Sequence, residues 1–206
     1  PEIDLAADVD PYSGAVYAKA AENLARMVDE GVLVRDEAPA YYVYRLTREG
    51  RTQTGLAAAA SVADYRTNRI RKHELTTPVK EDDRVRQIEA VNAQTGPVMI
   101  AYADAPEIDA VLAAASTGEP AVDVTWADGV RHQMWPVTDP AAIARLTAAV
   151  DALPAIYIAD GHHRSAAASR VAAARGEESE SAGAFLAVLF PAHEMTILGY
   201  HRVIRD

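Results

Sequence analysis

The sequence predicts an α+β domain: a mixed sheet with hairpins and packed helices. Two observations argue for it. Strand-like runs come in pairs joined by short turns, and amphipathic helical stretches stand between the pairs, which speaks against a purely parallel sheet. A third is composition. Of 206 residues, 50% are hydrophobic and 24% charged, aromatics are 6%, and alanine is abundant, so the expected core is built from Ala, Val, Leu and Ile. The length suits one large domain or two small ones, and a single domain over 1–206 is expected. Because the chain opens on Pro1 and stops at Asp206 just after an expected strand, that domain is expected to be a fragment of a longer chain.

Residues 14–30 read as a helix, with Val16, Ala20, Leu24, Met27 and Val28 at helical spacing and Gly31 as a stop. Residues 41–46 and 52–62 read as a hairpin around a polar turn. Residues 64–77 have no clean period and suit a structured loop with a short helix. A helix from Pro78 or Lys80 to about residue 94 turns Val85, Ile88 and Val91 inward. A strand over 97–102 and a helix over 106–115 follow. Asp128-Gly129 marks a hairpin between strands at 122–126 and 130–137. Asp139 caps a helix to about residue 150, and Pro154 opens the strand Ile156-Tyr157-Ile158. A helix over 160–175 closes at Gly176, an acidic loop spans 177–181, and the last pair of strands covers 185–190 and 196–203.

With no cysteine, disulfides, thiolate metal sites and cysteine nucleophiles are excluded. No apolar run approaches the ~20 residues that span a bilayer, and no signal peptide is visible, so a cytoplasmic protein without membrane partners is expected. The net charge of -10 argues against nucleic acid as a partner, whose binders present a basic face. Residues 45–86 nevertheless hold ten Lys/Arg against six Asp/Glu, so the rest of the chain carries -14. This stretch is either a solvated face or a basic wall for a small anion.

The chemistry concentrates at Asp160-Gly161-His162-His163-Arg164-Ser165. Strand, tight turn and helix in that order point the free N–H groups of a first helical turn past a sheet end, where they and the helix dipole attract an anion. Gly161 admits a phosphate closely, Arg164 offers a bidentate fork, and His162 and His163 add donors near neutral pH. Asp160 suits the N-cap and needs no further purpose there. A second constellation is Arg71-Lys72-His73-Glu74 with Thr76: a charged loop, or a wall giving Lys72 and His73 to phosphates and Glu74 as a base or Mg²⁺ ligand. Gln53 and Thr54 suit either a pocket or an exposed strand face. His132, His193 and His201 read as structural or surface residues. A metal site from His73, His162 and His163 lacks any supporting spacing.

Asp160-Gly161-His162-His163-Arg164 followed by Ala166-Ala167-Ala168 resembles the signature of the ParB/sulfiredoxin superfamily, in which a Gly-x-His/Arg-Arg element opens a helix and holds nucleotide phosphates. The closest resemblance is to the uncharacterised family called domain of unknown function 1015. It is carried also by Tyr42-Val43-Tyr44-Arg45, Arg51-Thr52-Gln53-Thr54-Gly55-Leu56, Arg71-Lys72-His73-Glu74, Lys80-Glu81-Asp82-Asp83-Arg84 and Asn92-Ala93-Gln94-Thr95-Gly96-Pro97, over about residues 17–203. Members of that family are longer at both ends. One superfamily branch reduces sulfinic acids through a cysteine in this motif, which this chain lacks. A DNA-partitioning branch carries Gly-Glu-Arg-Arg there. A branch that phosphorylates free serine carries Asp-Gly-His-x-Arg, the nearest to this chain. The resemblance therefore implies a ParB/sulfiredoxin-like fold binding ATP or ADP with Mg²⁺, and a kinase that transfers a phosphoryl group to a small hydroxyl metabolite such as serine. It implies Gly161, His162, His163, Arg164, Ser165, Lys72 and His73 as phosphate-binding, Asp160 and Glu74 as catalytic, and Asp160 as the metal ligand. A non-catalytic nucleotide-binding regulatory module and a metal-dependent hydrolase are the alternatives.

Overall fold

A computed structural model describes residues 4–176, 182–197 and 203–204. The fold is α+β. Among the described residues eight strands form one mixed sheet: β1 Tyr41–Arg48, β2 Arg51–Ser61, β3 Ile70–Arg71, β4 Val98–Tyr102, β5 Val122–Thr125, β6 Arg131–Val137, β7 Ile156–Asp160 and β8 Ala184–Pro191. The spatial order is β3-β7-β4-β8-β2-β1-β6-β5. β3/β7 and β4/β8 pair in parallel and all other neighbours antiparallel. The helices are α1 Gly14–Asp29, α2 Val62–Arg66, α3 Pro78–Val91, α4 Pro106–Ala115, α5 Pro140–Asp151 and α6 His162–Arg175.

Alternation along the strands decides where the core lies. Val43, Leu56, Val98, Ile100, Ile156, Ile158, Phe185, Ala187 and Leu189 share one face and pack against Ile108, Val111 and Leu112 of α4, Leu146 of α5, and Ala168 and Ala172 of α6. The small side chains of α6 let it lie close to the sheet, which fixes the position of its first turn. On the other face a smaller cluster forms around Ala57, Val188 and Phe190, with Tyr42, Tyr44, Leu46, Met99 and Met195 against it. Gly55 in β2 is required there: a Cβ would lie 2.6 Å from the Leu189 carbonyl oxygen and 2.7 Å from the Phe190 ring.

Several elements depart from their expected form. α3 stops at Val91, where Asn92 takes a left-handed conformation, and of its three expected inward residues only Val91 is fully buried. Met27 and Val28 of α1 stay exposed, because α1 packs on α3 and not on the sheet. The stretch over 64–77 contains α2 and also the two-residue strand β3, which pairs with β7. The acidic loop over 177–181 lies outside the described residues. So does most of the expected strand over 196–203, and β8 pairs with β2 and β4. The basic residues of 45–86 disperse instead of forming one wall. Arg45 lies over Trp135, Arg66 reaches Ser169, and Arg69 bonds Asp64 and the carbonyls of Val150, Asp151 and Leu153.

Candidate functional site

β7 runs between β3 and β4 and delivers its C-terminal end directly to α6. Here one expectation is corrected. Asp160 does not cap α6: it is the last residue of β7, opposite Met99 beyond a β-bulge, and Gly161 takes the cap position. The reason is conformational. The turn needs φ +98° at residue 161, which glycine adopts freely, and the extra strand residue pushes the helix start past Asp160. Asp139, by contrast, caps α5 as expected, accepting from the Ala142 N–H at 2.9 Å.

No side chain caps α6. The Ser165 N–H reaches the Gly161 carbonyl at 3.0 Å, which leaves the N–H groups of His162, His163 and Arg164 as the donors that a first helical turn cannot satisfy internally. Arg164 folds back over the turn. Its Nη2 donates to Asp160 at 2.6 Å, and a Cβ on Gly161 would meet Nη2 at 2.8 Å and Nε at 2.9 Å. Gly161 is thus required twice, for its backbone angle and for the guanidinium above it.

His162 is buried, with 3% of its surface exposed. Its Nε2 accepts the His73 N–H at 3.3 Å, which assigns the remaining ring proton to Nδ1. That Nδ1 has no hydrogen-bond partner, and Glu74 Oε2 stands 3.4 Å away. A buried donor whose nearest acceptor lies at 3.4 Å is weakly satisfied, and Glu74 is the group that faces it. The His73 ring packs edge-on against His162, with centroids 4.4 Å apart. The loop after β3 and the start of α6 therefore bring His73, Glu74, Asp160, Gly161, His162 and Arg164 into one neighbourhood.

Three expected phosphate ligands are engaged elsewhere. Lys72 donates to the Tyr65 carbonyl at 2.7 Å and sits over the Tyr65 ring. Ser165 is fully buried and donates back to the His162 carbonyl at 3.1 Å. His163 Nε2 accepts from the Thr77 N–H at 3.1 Å, which ties α6 to the start of α3. Among the described residues no three His, Asp or Glu side chains converge to hold a metal. A single carboxylate such as Asp160 still suits Mg²⁺, which is usually held by one or two carboxylates together with substrate phosphates.

Arg84 and the turn before β4 extend the neighbourhood beyond the residues the sequence singled out for the site. Arg84, Gln87 and Ile88 on α3, with Gln94, Thr95, Gly96 and Arg164, line a cavity of about 130 Å³. The i, i+3, i+4 spacing of the α3 residues was the available signal, but it reads equally as a solvated helix face.

Burial holds the His162 imidazole below the ordinary histidine range; His73 and, less strongly, His163 depress it further, and Glu74 and Asp160 oppose them. In the unfolded chain the group takes its proton at higher pH than in the fold. His162 therefore contributes a stability that is complete above its unfolded pKa of about 6.5 and declines as pH falls below it. Urea unfolding between pH 5 and 7.5 is expected to show that decline, and His162→Gln to flatten it. An unchanged slope in the variant would mean another group is responsible.

Among the described residues no helix is long and apolar enough to cross a membrane. Neither a curated protein nor a solved structure matches the chain. One family model does, that of a protein of unknown function (DUF1015), and it matches residues 1–206. The strand, glycine turn and histidine-arginine helix start described above therefore belong to a chain of the DUF1015 family.

Proposed function

We propose that this chain is a ParB/sulfiredoxin-like cytoplasmic enzyme that binds ATP or ADP with Mg²⁺ at the start of α6 and transfers a phosphoryl group to a small hydroxyl metabolite, serine being the first candidate. The observation that carries the proposal is a helix start without a side-chain cap, opened by a left-handed Gly161, with Arg164 folded over the turn and the buried His162 beside it. That set of donors suits a phosphate. The order of β7, turn and α6 supports the superfamily assignment, and the Asp-Gly-His-x-Arg pattern supports the choice of reaction. Nucleotide and small metabolite are the partners, without nucleic acid or membrane.

In this proposal the first-turn N–H groups, His162 and Arg164 hold phosphate oxygens, while Asp160 and Glu74 flank them as base and Mg²⁺ ligands. Mg²⁺, held by Asp160 and Glu74, would supply charge neutralisation for the transferring phosphate. The acceptor oxygen bonds the γ-phosphorus. The bond to the β–γ bridging oxygen breaks, its electrons leave on ADP, and the hydroxyl proton passes to Asp160.

Calorimetric titration with ATP and ADP in the presence of Mg²⁺, followed by assay of phosphoserine, tests this. Arg164→Ala is expected to cost about 1.5–3 kcal/mol of nucleotide affinity through the lost charge-assisted contact. Alanine suits a helix, so the fold should survive. Equal affinity in parent and variant, or no nucleotide binding in the parent, would refute it. Binding without transfer to any small hydroxyl compound would leave a nucleotide-binding regulatory module.

A further inference from the structure

We infer that the cavity between α3, the turn before β4 and Arg164 is the acceptor subsite, and that it takes a three- or four-carbon hydroxyl compound carrying a carboxylate. This rests on the nucleotide reading of the α6 start. The cavity holds about 130 Å³, room for about four waters at ~30 Å³ each, and far below the ~300–1,000 Å³ of pockets for drug-sized ligands. A nucleotide does not fit; a small metabolite does.

The lining is polar and basic. Arg84 and Arg164 bring two guanidinium groups, Gln87, Gln94 and Thr95 bring amides and a hydroxyl, and Ile88 is the one large apolar side chain. No carboxylate is among the lining residues. Guanidinium forks match the planar geometry of a carboxylate. Each guanidinium is also held by one acidic neighbour outside the cavity: Arg84 donates both Nε and Nη2 to Asp83, and Arg164 donates Nη2 to Asp160 at 2.6 Å.

Arg164 also connects this cavity to the phosphate site. It lines the cavity and holds Asp160, the proposed base, whereas His162, His163 and Glu74 do not line it. Asp160 does not itself line the cavity, so an acceptor gripped by its carboxylate here reaches the proposed base past the Arg164 guanidinium.

The test is calorimetric titration of the full chain with L-serine and D-glycerate, and with serinol and glycerol as carboxylate-free counterparts, each with and without ADP and Mg²⁺. The two carboxylates are expected to bind at least about tenfold more tightly than their counterparts. Arg84→Gln, and Thr95→Phe as an independent block of the cavity, should each weaken them by about tenfold or more while ADP affinity stays within about twofold. Neither carboxylate binding, or both variants binding them like the parent, would overturn the subsite. So would inorganic phosphate displacing them at equal affinity. ADP binding without any carboxylate dependence removes the subsite and leaves the nucleotide reading standing; Arg84-dependent carboxylate binding without ADP binding does the reverse.

Discussion

Gly161→Val is expected to lower ATP affinity by about a hundredfold and to reduce fold stability by about 2 kcal/mol. Two separate causes act at this position. The backbone stands at φ +98°, which a β-branched residue adopts only under strain. The new side chain would also enter the space of the Arg164 guanidinium, whose nearest atom is 2.8 Å from the Cβ position. The arginine is flexible, so the clash itself is resolved by moving it off Asp160 and off the helix start. Affinity should therefore fall further than stability alone explains. Gly161→Ala meets the same angle and the same guanidinium with a smaller group and should fall between the two. Urea unfolding and calorimetry read the two effects separately. A Gly161→Val protein that binds ATP like the parent would show that the α6 start holds no phosphate.

Much of the sheet was legible because its strands obey simple rules. The hairpin of β1 and β2 announced itself by paired branched and aromatic runs, and β5/β6 by Asp128-Gly129, where Gly129 indeed takes a positive φ. Asp139 capped its helix as expected because nothing competes with it. What failed was non-local. Ile70-Arg71 is too short to show a period, and it becomes a strand only because β7 lies beside it. The inward residues of α1 and α3 were misjudged because a helix that packs on another helix buries a narrower stripe than one that packs on a sheet.

The candidate site shows the same division. The glycine turn and the histidines were visible as a motif, since local order decides where β7 hands over to α6. The shift of the cap from Asp160 to Gly161 was not visible, because it depends on a bulge against Met99. The side-chain commitments were hidden as well. Lys72 looked like a phosphate ligand until Tyr65 was seen to offer both a carbonyl and a ring, and Ser165 until its hydroxyl was seen turned into the helix. Arg84 stands in the sequence only as part of a charged helical stretch, and it is the fold that sets α3 against the turn before β4.

Asp160→Asn is expected to lower phosphoryl transfer by about a hundredfold or more while ATP affinity changes by less than about threefold. The structure makes this a clean experiment. Asp160 does not cap α6, so no helix is uncapped by the change, and its partnership with Arg164 is a surface ion pair of about 0–1 kcal/mol. The amide keeps the size and one acceptor oxygen but loses the charge and the basicity. A Mg²⁺ ligand and a proton acceptor can be told apart. If Asp160 holds Mg²⁺, raising the Mg²⁺ concentration should recover part of the transfer; if it takes the hydroxyl proton, the loss should persist at every concentration. Glu74→Gln provides the comparison, because Glu74 lies on the opposite flank, 3.4 Å from His162 Nδ1. Transfer that survives in Asp160→Asn but collapses in Glu74→Gln would move the base to Glu74. Transfer unchanged in both variants would remove the chemistry from this helix start.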